Sequence, residues 1–116
     1  MEKHGFEIKK HHLLETAWLA TFTHRMGGRT VGVNSEMDAL PGIGHACGHN
    51  LIAISGVAVA IAVKNVLQQF DIPGKIALLG TPGASVSVFA EDLAVGLLTD
   101  RPAHQVRRAV QGRLFC

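Results

Sequence analysis

SEMDALPGIGHACGHN, residues Ser35–Asn50, stands between a strand-like run and a long apolar one. Upstream lies RTVGVN, Arg29–Asn34, whose β-branched residues read as a strand. Downstream lies LIAISGVAVAIAV, Leu51–Val63, with apolar residues on nearly every helical face. That pattern predicts a buried helix, beginning at His45 or Asn50 and reaching Phe70, with most sides covered by protein. Within it, Lys64–Gln69 is more amphipathic. DIPG, Asp71–Gly74, stops the helix, KIALL, Lys75–Leu79, is a short buried strand, and GTPG ends it. LPGIG, Leu40–Gly44, must be a loop, because Pro41 cannot continue a ladder. Two strands joined by such a helix predict a right-handed parallel crossover, so the fold class is α/β. In such sheets functional groups gather where strands end in loops, and Asp38 and Thr81 both follow strands.

Before this unit, TAWLATFT, Thr16–Thr23, reads as another strand, and HRMGG, His24–Gly28, as a turn. With Arg29–Asn34 they predict a hairpin feeding the central stretch. Residues 1–12 are polar and carry His4, His11 and His12. After Gly83 the alternation stops. A helix is expected at Ala90–Leu98 and a weaker one at Ala103–Gln111, and neither extends the α/β order.

Composition bounds the function. A chain of 116 residues suits one domain, and 47% hydrophobic content argues against disorder. Charged residues are 17%, below the ~25% of a free-standing domain, as expected for the interior part of something larger. A net charge of +2 is too small to imply nucleic acid or an anionic membrane. The arginines at 101, 107, 108 and 113, with no acid among residues 101–116, could touch RNA or lipid but read better as a solvated end. Two cysteines, Cys47 and Cys116, make no disulfide framework; a reducing compartment, the cytoplasm, fits better. The amino-terminal residues lack the apolar core of a secretory signal. The apolar run of thirteen residues is short of the ~20 that span a bilayer.

The central stretch carries the chemistry. His45, Cys47 and His49 alternate, and thiolate and imidazole suit zinc and similar metals. Glu36 and Asp38 are two apart, so on a strand both point to one side. A carboxylate beside a metal-binding imidazole commonly orients the ring. Equally, His45 and His49 read as loop or cap residues and Cys47 as a small buried hydrophobe. No dinucleotide or Walker fingerprint is present, which excludes nucleotide binding.

SEMDALPGIGHACGHN, followed by LIAISGVAVAIAVKNVL and DIPGKIALLGTP, resembles the metal-dependent amidohydrolase and peptidase family of aminoacylases, glutamate carboxypeptidases and auxin-conjugate amidohydrolases. Within that family it looks most like the aminoacylase-1-like dipeptidase branch. The likeness runs from about Thr16 to Pro82. It implies a truncated three-layer, zinc-peptidase-like catalytic domain with a mixed sheet. Residues 1–82 would be its amino-terminal part and 83–116 an atypical tail outside the family frame. It implies Asp38 as the acidic catalytic residue, Cys47 and His49 as metal ligands, and His45 and Glu36 as supporting groups. The implied reaction is hydrolysis of an amide bond in a dipeptide or N-acyl amino acid, with two divalent ions, zinc or manganese. Partners expected with it are that small substrate and a second copy or a full-length relative, with no nucleic acid and no membrane. In relatives the strand written here IALLGTP continues into Ala-Glu-Glu; Gly83–Ser85 stand there instead, so the expected general base is absent. That departure leaves two other readings: a non-catalytic binding or regulatory fragment, and a simple metal-binding module.

Overall fold

The computed structural model describes residues 1–12 and 15–82. After a short 3-10 turn at Glu2–His4 come strands β1 (Glu7–Lys10), β2 (Trp18–His24) and β3 (Arg29–Glu36). Helix α1 (His49–Gln69) and strand β4 (Gly74–Thr81) follow. The four strands form one sheet in the order β1-β2-β4-β3. The result is a small mixed α/β domain with one helix among the described residues.

Polarity along β4 explains this order. Ile76, Ala77, Leu78 and Leu79 are all buried, so this strand is apolar on both faces. Such a strand belongs in a sheet interior with a neighbour on each side. It runs parallel to β3, with Arg29 opposite Gly74 and Glu36 opposite Thr81, and antiparallel to β2, with Trp18 opposite Gly80. The expected hairpin of β2 with β3 is therefore corrected: β4 lies between them. The Arg25–Gly28 connection then spans two strand spacings, about 10 Å, rather than one. Gly28 passes close to the start of β4, where a Cβ would lie 1.9 Å from the Pro73 carbonyl oxygen. At the edge of the sheet, β1 pairs antiparallel with the outer side of β2, Ile8 opposite Ala20. Its sequence, EIKK, has too little apolar signal to announce a strand, and its lysines suit a sheet edge.

Alternation sorts the sheet into two faces. Ala20, Ile76 and Leu78 form one cluster with Phe6 and with Ala60 of α1; Leu19, Ala77 and Leu79 form a second. Burying a side chain such as Ile76 or Leu78 contributes about 1.5–3 kcal/mol. The helix approaches closely because Gly56 has no Cβ; one would sit 3.2 Å from the Ser35 Cβ. There the Ser35 hydroxyl, 1% exposed as a residue, donates to the Ala53 carbonyl at 2.9 Å. At the far end, Asp71 joins the α1–β4 turn to the β2–β3 turn, accepting from His24 at 2.9 Å and pairing with Arg25.

The expectation of a helix covered on most sides is also corrected. Within α1 only Gly56 and Ala60 are buried, while Leu51 is 66% and Ile54 60% exposed. Among the described residues, the sheet meets one side of the helix and leaves the other apolar side open. By length and composition alone α1 could cross a membrane, being longer than the thirteen-residue run suggests. Here it lies along a sheet, and its Ala53 carbonyl is bonded from β3.

The expected elements at Ala90–Leu98 and Ala103–Gln111, and the tail beginning at Gly83, lie outside the described residues.

One histidine away from the central stretch couples the fold to pH. Burial, and then the nearby Lys9 charge, hold the His12 imidazole below its ordinary pKa. The folded state thus binds this proton less readily than the unfolded chain does. Its contribution to stability is complete above the ordinary histidine pKa, about 6.5, and is lost as pH falls through the lower folded value. Urea midpoints of the wild type should fall between pH 7.5 and 5. In His12→Gln the fall should be smaller, and identical slopes would remove this residue from the acid sensitivity.

Candidate metal centre

Two turns and two element ends build the centre. Strand β3 ends at Glu36, and the Met37 amide donates to the Thr81 carbonyl at 2.9 Å, carrying the chain on beside β4. Asp38 is thereby held just past the strand. The loop that follows closes on itself, Leu40 donating to Gly44 at 2.8 Å and Gly44 back to Leu40 at 2.9 Å. Gly42, Gly44 and Gly48 all take positive φ, a region that costs L-residues energy and glycine almost none. Gly48 is the N-cap of α1 with φ 84°, and it delivers His49 as the first helical residue. Parallel β3 and β4 with an intervening helix bring the α1 N-terminus back to the strand ends.

Glu36, Asp38 and His49 converge as a result. One ligand atom from each lies within 4.8 Å of the others. His49 Nε2 stands 3.3 Å from Glu36 Oε2, and His49 Nδ1 stands 2.6 Å from Asp38 Oδ1. The side chains are 24%, 22% and 14% exposed for Glu36, Asp38 and His49, so the group is largely shielded from water. On the outer side of Glu36, the Asn34 amide donates to Oε1 at 3.2 Å.

The Asp38–His49 contact has a particular character. At 2.6 Å it is within ion-pair distance, yet Asp38 Oδ1 and His49 Nδ1 are both buried and neither has a hydrogen-bond partner among the described residues. The two atoms are close but out of hydrogen-bond alignment. Buried polar atoms are nearly always satisfied, and a cation shared by both would satisfy them here. The donor set of two carboxylates and one imidazole is one that divalent zinc or manganese accepts. The residues therefore fit such an ion. Three protein donors also leave positions open, as a catalytic rather than a structural ion needs.

Of the residues singled out by sequence, the structure brings Glu36, Asp38 and His49 together. His45 and Cys47 are exposed in the turn before α1 and lie outside this group of three. Sequence reasoning did not find Asn34. Its position two residues before Glu36 on one strand face was the available signal.

No family model matches the chain. Over 55 residues, 45% of the chain, it is 53% identical to the Xaa-Arg dipeptidase of Homo sapiens. Over 49 residues, 40% of the chain, it is 53% identical to the Xaa-Arg dipeptidase of Mus musculus. Over 101 residues, 72% of the chain, it is 31% identical to one of the subunits of the p-aminobenzoyl-glutamate hydrolase of Escherichia coli (strain K12). These matches span 13%, 11% and 21% of the respective relatives, so the chain corresponds to about a fifth of their length or less. Part of the chain is thus similar to part of proteins named as a dipeptidase and as an aminobenzoyl-glutamate hydrolase.

Proposed function

We propose that this chain belongs to the metal-dependent amidohydrolase and peptidase family. The activity it carries a part of is hydrolysis of the amide bond of a dipeptide or N-acyl amino acid. The observation that carries this reading is the meeting of Glu36, Asp38 and His49 around two buried atoms that lack hydrogen-bond partners among the described residues. Similarity to a dipeptidase and to an aminobenzoyl-glutamate hydrolase supports the substrate class.

In this reading Glu36, Asp38 and His49 hold a divalent ion, zinc or manganese. When bound, the ion would serve as a Lewis acid toward the scissile carbonyl. Asp38 and His49 fix its place, because one is tied behind β3 and the other is the first residue of a long helix. Their shielding from water strengthens every charge interaction within the group. Cys47, exposed and two residues before His49, is where the family resemblance puts a further ligand, and a second ion would involve it. His45 remains a supporting group. The exposed Leu51, Ile54 and Val59 on α1 support the larger fold, since a further layer of a three-layer catalytic domain would cover them. A second copy or a full-length relative would cover them equally well. A reducing, cytoplasmic setting agrees with the exposed Cys47 thiol.

Turnover by this chain should be weak. Gly83–Ser85 stand where the resemblance expects a glutamate base, and a positioned base is worth about 10²–10⁴ in rate. That departure favours, as a second reading, a module that binds metal without turnover. Equilibrium dialysis of the full chain with zinc and with manganese, followed by dipeptide and N-acyl amino acid hydrolysis assays, decides between them. Binding with turnover supports the enzyme, and binding alone supports the module. No retained metal would sink both.

A further inference from the structure

We infer that Asn34 and Thr81 are positioning residues that aim the Glu36 carboxylate at the His49 ring. This rests on the metal reading of the site and adds two residues to it. A chain of contacts runs from β4 into the centre. The Thr81 hydroxyl donates to Asn34 Oδ1 at 3.1 Å, and Asn34 Nδ2 donates to Glu36 Oε1 at 3.2 Å. The other oxygen, Oε2, faces His49 Nε2 at 3.3 Å, and His49 Nδ1 faces Asp38.

Chemistry fixes the direction of every link. An ionised carboxylate only accepts, so the Asn34 NH₂ must face Glu36. The Asn34 carbonyl oxygen then faces Thr81, and the Thr81 hydroxyl has to donate. Reversing the amide would set oxygen against oxygen. The Glu36 carboxylate thus selects the orientation of the Asn34 amide, Thr81 anchors that amide by donating to its oxygen, and Asn34 ties down one oxygen of Glu36 while leaving the other free for the centre. The parallel register makes this possible. Glu36 lies opposite Thr81, and Asn34, two residues earlier on β3, shares its face. Thr81 is 3% exposed, so water is poorly placed to take over its role. Partners that orient a metal-binding side chain in this way typically govern about 10–100-fold in metal affinity.

The test uses the full chain with cobalt(II) as a spectroscopic stand-in for zinc, alongside zinc and manganese dialysis. Wild type, Asn34→Ala, Thr81→Val and Thr81→Ser are compared, with thermal unfolding as a control. Asn34→Ala and Thr81→Val should each weaken metal binding about 10-fold or more and alter the cobalt absorption bands, with little change in Tm. Thr81→Ser keeps the donor and should restore both affinity and spectrum. If Thr81→Val fails to fold, Asn34→Ala at its exposed position decides. Wild-type binding with unchanged affinity and spectrum in the variants would overturn the inference while leaving the metal reading standing. Loss in Thr81→Ser equal to that in Thr81→Val would overturn it too. Absence of metal from the wild type would remove both.

Discussion

His49→Ala should lower the affinity of the chain for zinc or manganese by at least about 100-fold and leave the domain folded. The imidazole is the one nitrogen donor of the three, and it touches both carboxylates. Without it an ion would lose one of its three protein donors, and the Glu36 and Asp38 carboxylates would have to hold it with water in place of the ring nitrogen. Orienting partners alone govern about 10–100-fold, so loss of a donor should cost at least the upper end of that range. Stability should change little. His49 begins α1, where the first amides have no intrahelical partner, and Gly48 caps the helix without a side-chain bond. Alanine is also a better helix former than histidine. Dialysis or calorimetric titration gives the affinity, and far-ultraviolet circular dichroism gives the fold. Unchanged metal binding in a folded variant would move the site away from this group, with the exposed His45 and Cys47 turn the next place to look.

The parts of the fold visible in the sequence were those set by local chemistry. A β-rich run before a Pro-Gly loop, a long apolar helix and a short apolar strand gave β3, α1 and β4 close to their observed bounds. The parallel relation of β3 and β4 followed from connection length alone. Strand neighbours set by longer-range competition were not visible. HRMGG has the composition of a hairpin turn, but nothing within it shows that KIALL, apolar on both faces, will take the place beside each flanking strand. β1 was hidden because an edge strand has only one neighbour to satisfy and keeps its lysines. Helix burial was overread, because apolarity on all sides states what a helix can bury, not what is present to cover it. In the site, Asp38 and His49 stand eleven positions apart and meet only because the crossover returns α1 to the end of β3. The spacing showed the ligand types; which of them converge depends on loop closure through Gly42, Gly44 and Gly48.

The strand order itself is open to a large mutational effect at Gly28. Gly28→Ala should destabilise the domain by about 2–5 kcal/mol, from two costs that add. At φ 85° any Cβ carries the left-handed penalty, roughly 1–2 kcal/mol. That Cβ would also stand 1.9 Å from the Pro73 oxygen, 2.4 Å from the Pro73 carbonyl carbon and 2.9 Å from the Gly74 nitrogen. These are backbone atoms at the start of β4, so no side-chain rotation relieves the clash, and overpacking typically costs about 1–3 kcal/mol. Gly27 supplies the control. Its φ is 84°, nearly the same, but a Cβ there meets nothing within 4 Å. Gly27→Ala should therefore show the conformational cost alone, about 1–2 kcal/mol. The excess in Gly28→Ala measures how closely the β2–β3 turn passes over the entry to β4. Urea unfolding of both variants at one pH reads that difference directly. A simple β2–β3 hairpin would have no reason to crowd Pro73, and the two glycines would then respond alike. Equal losses at positions 27 and 28 would therefore count against β4 lying between the two strands, and with it against the register that sets Thr81 beside Glu36.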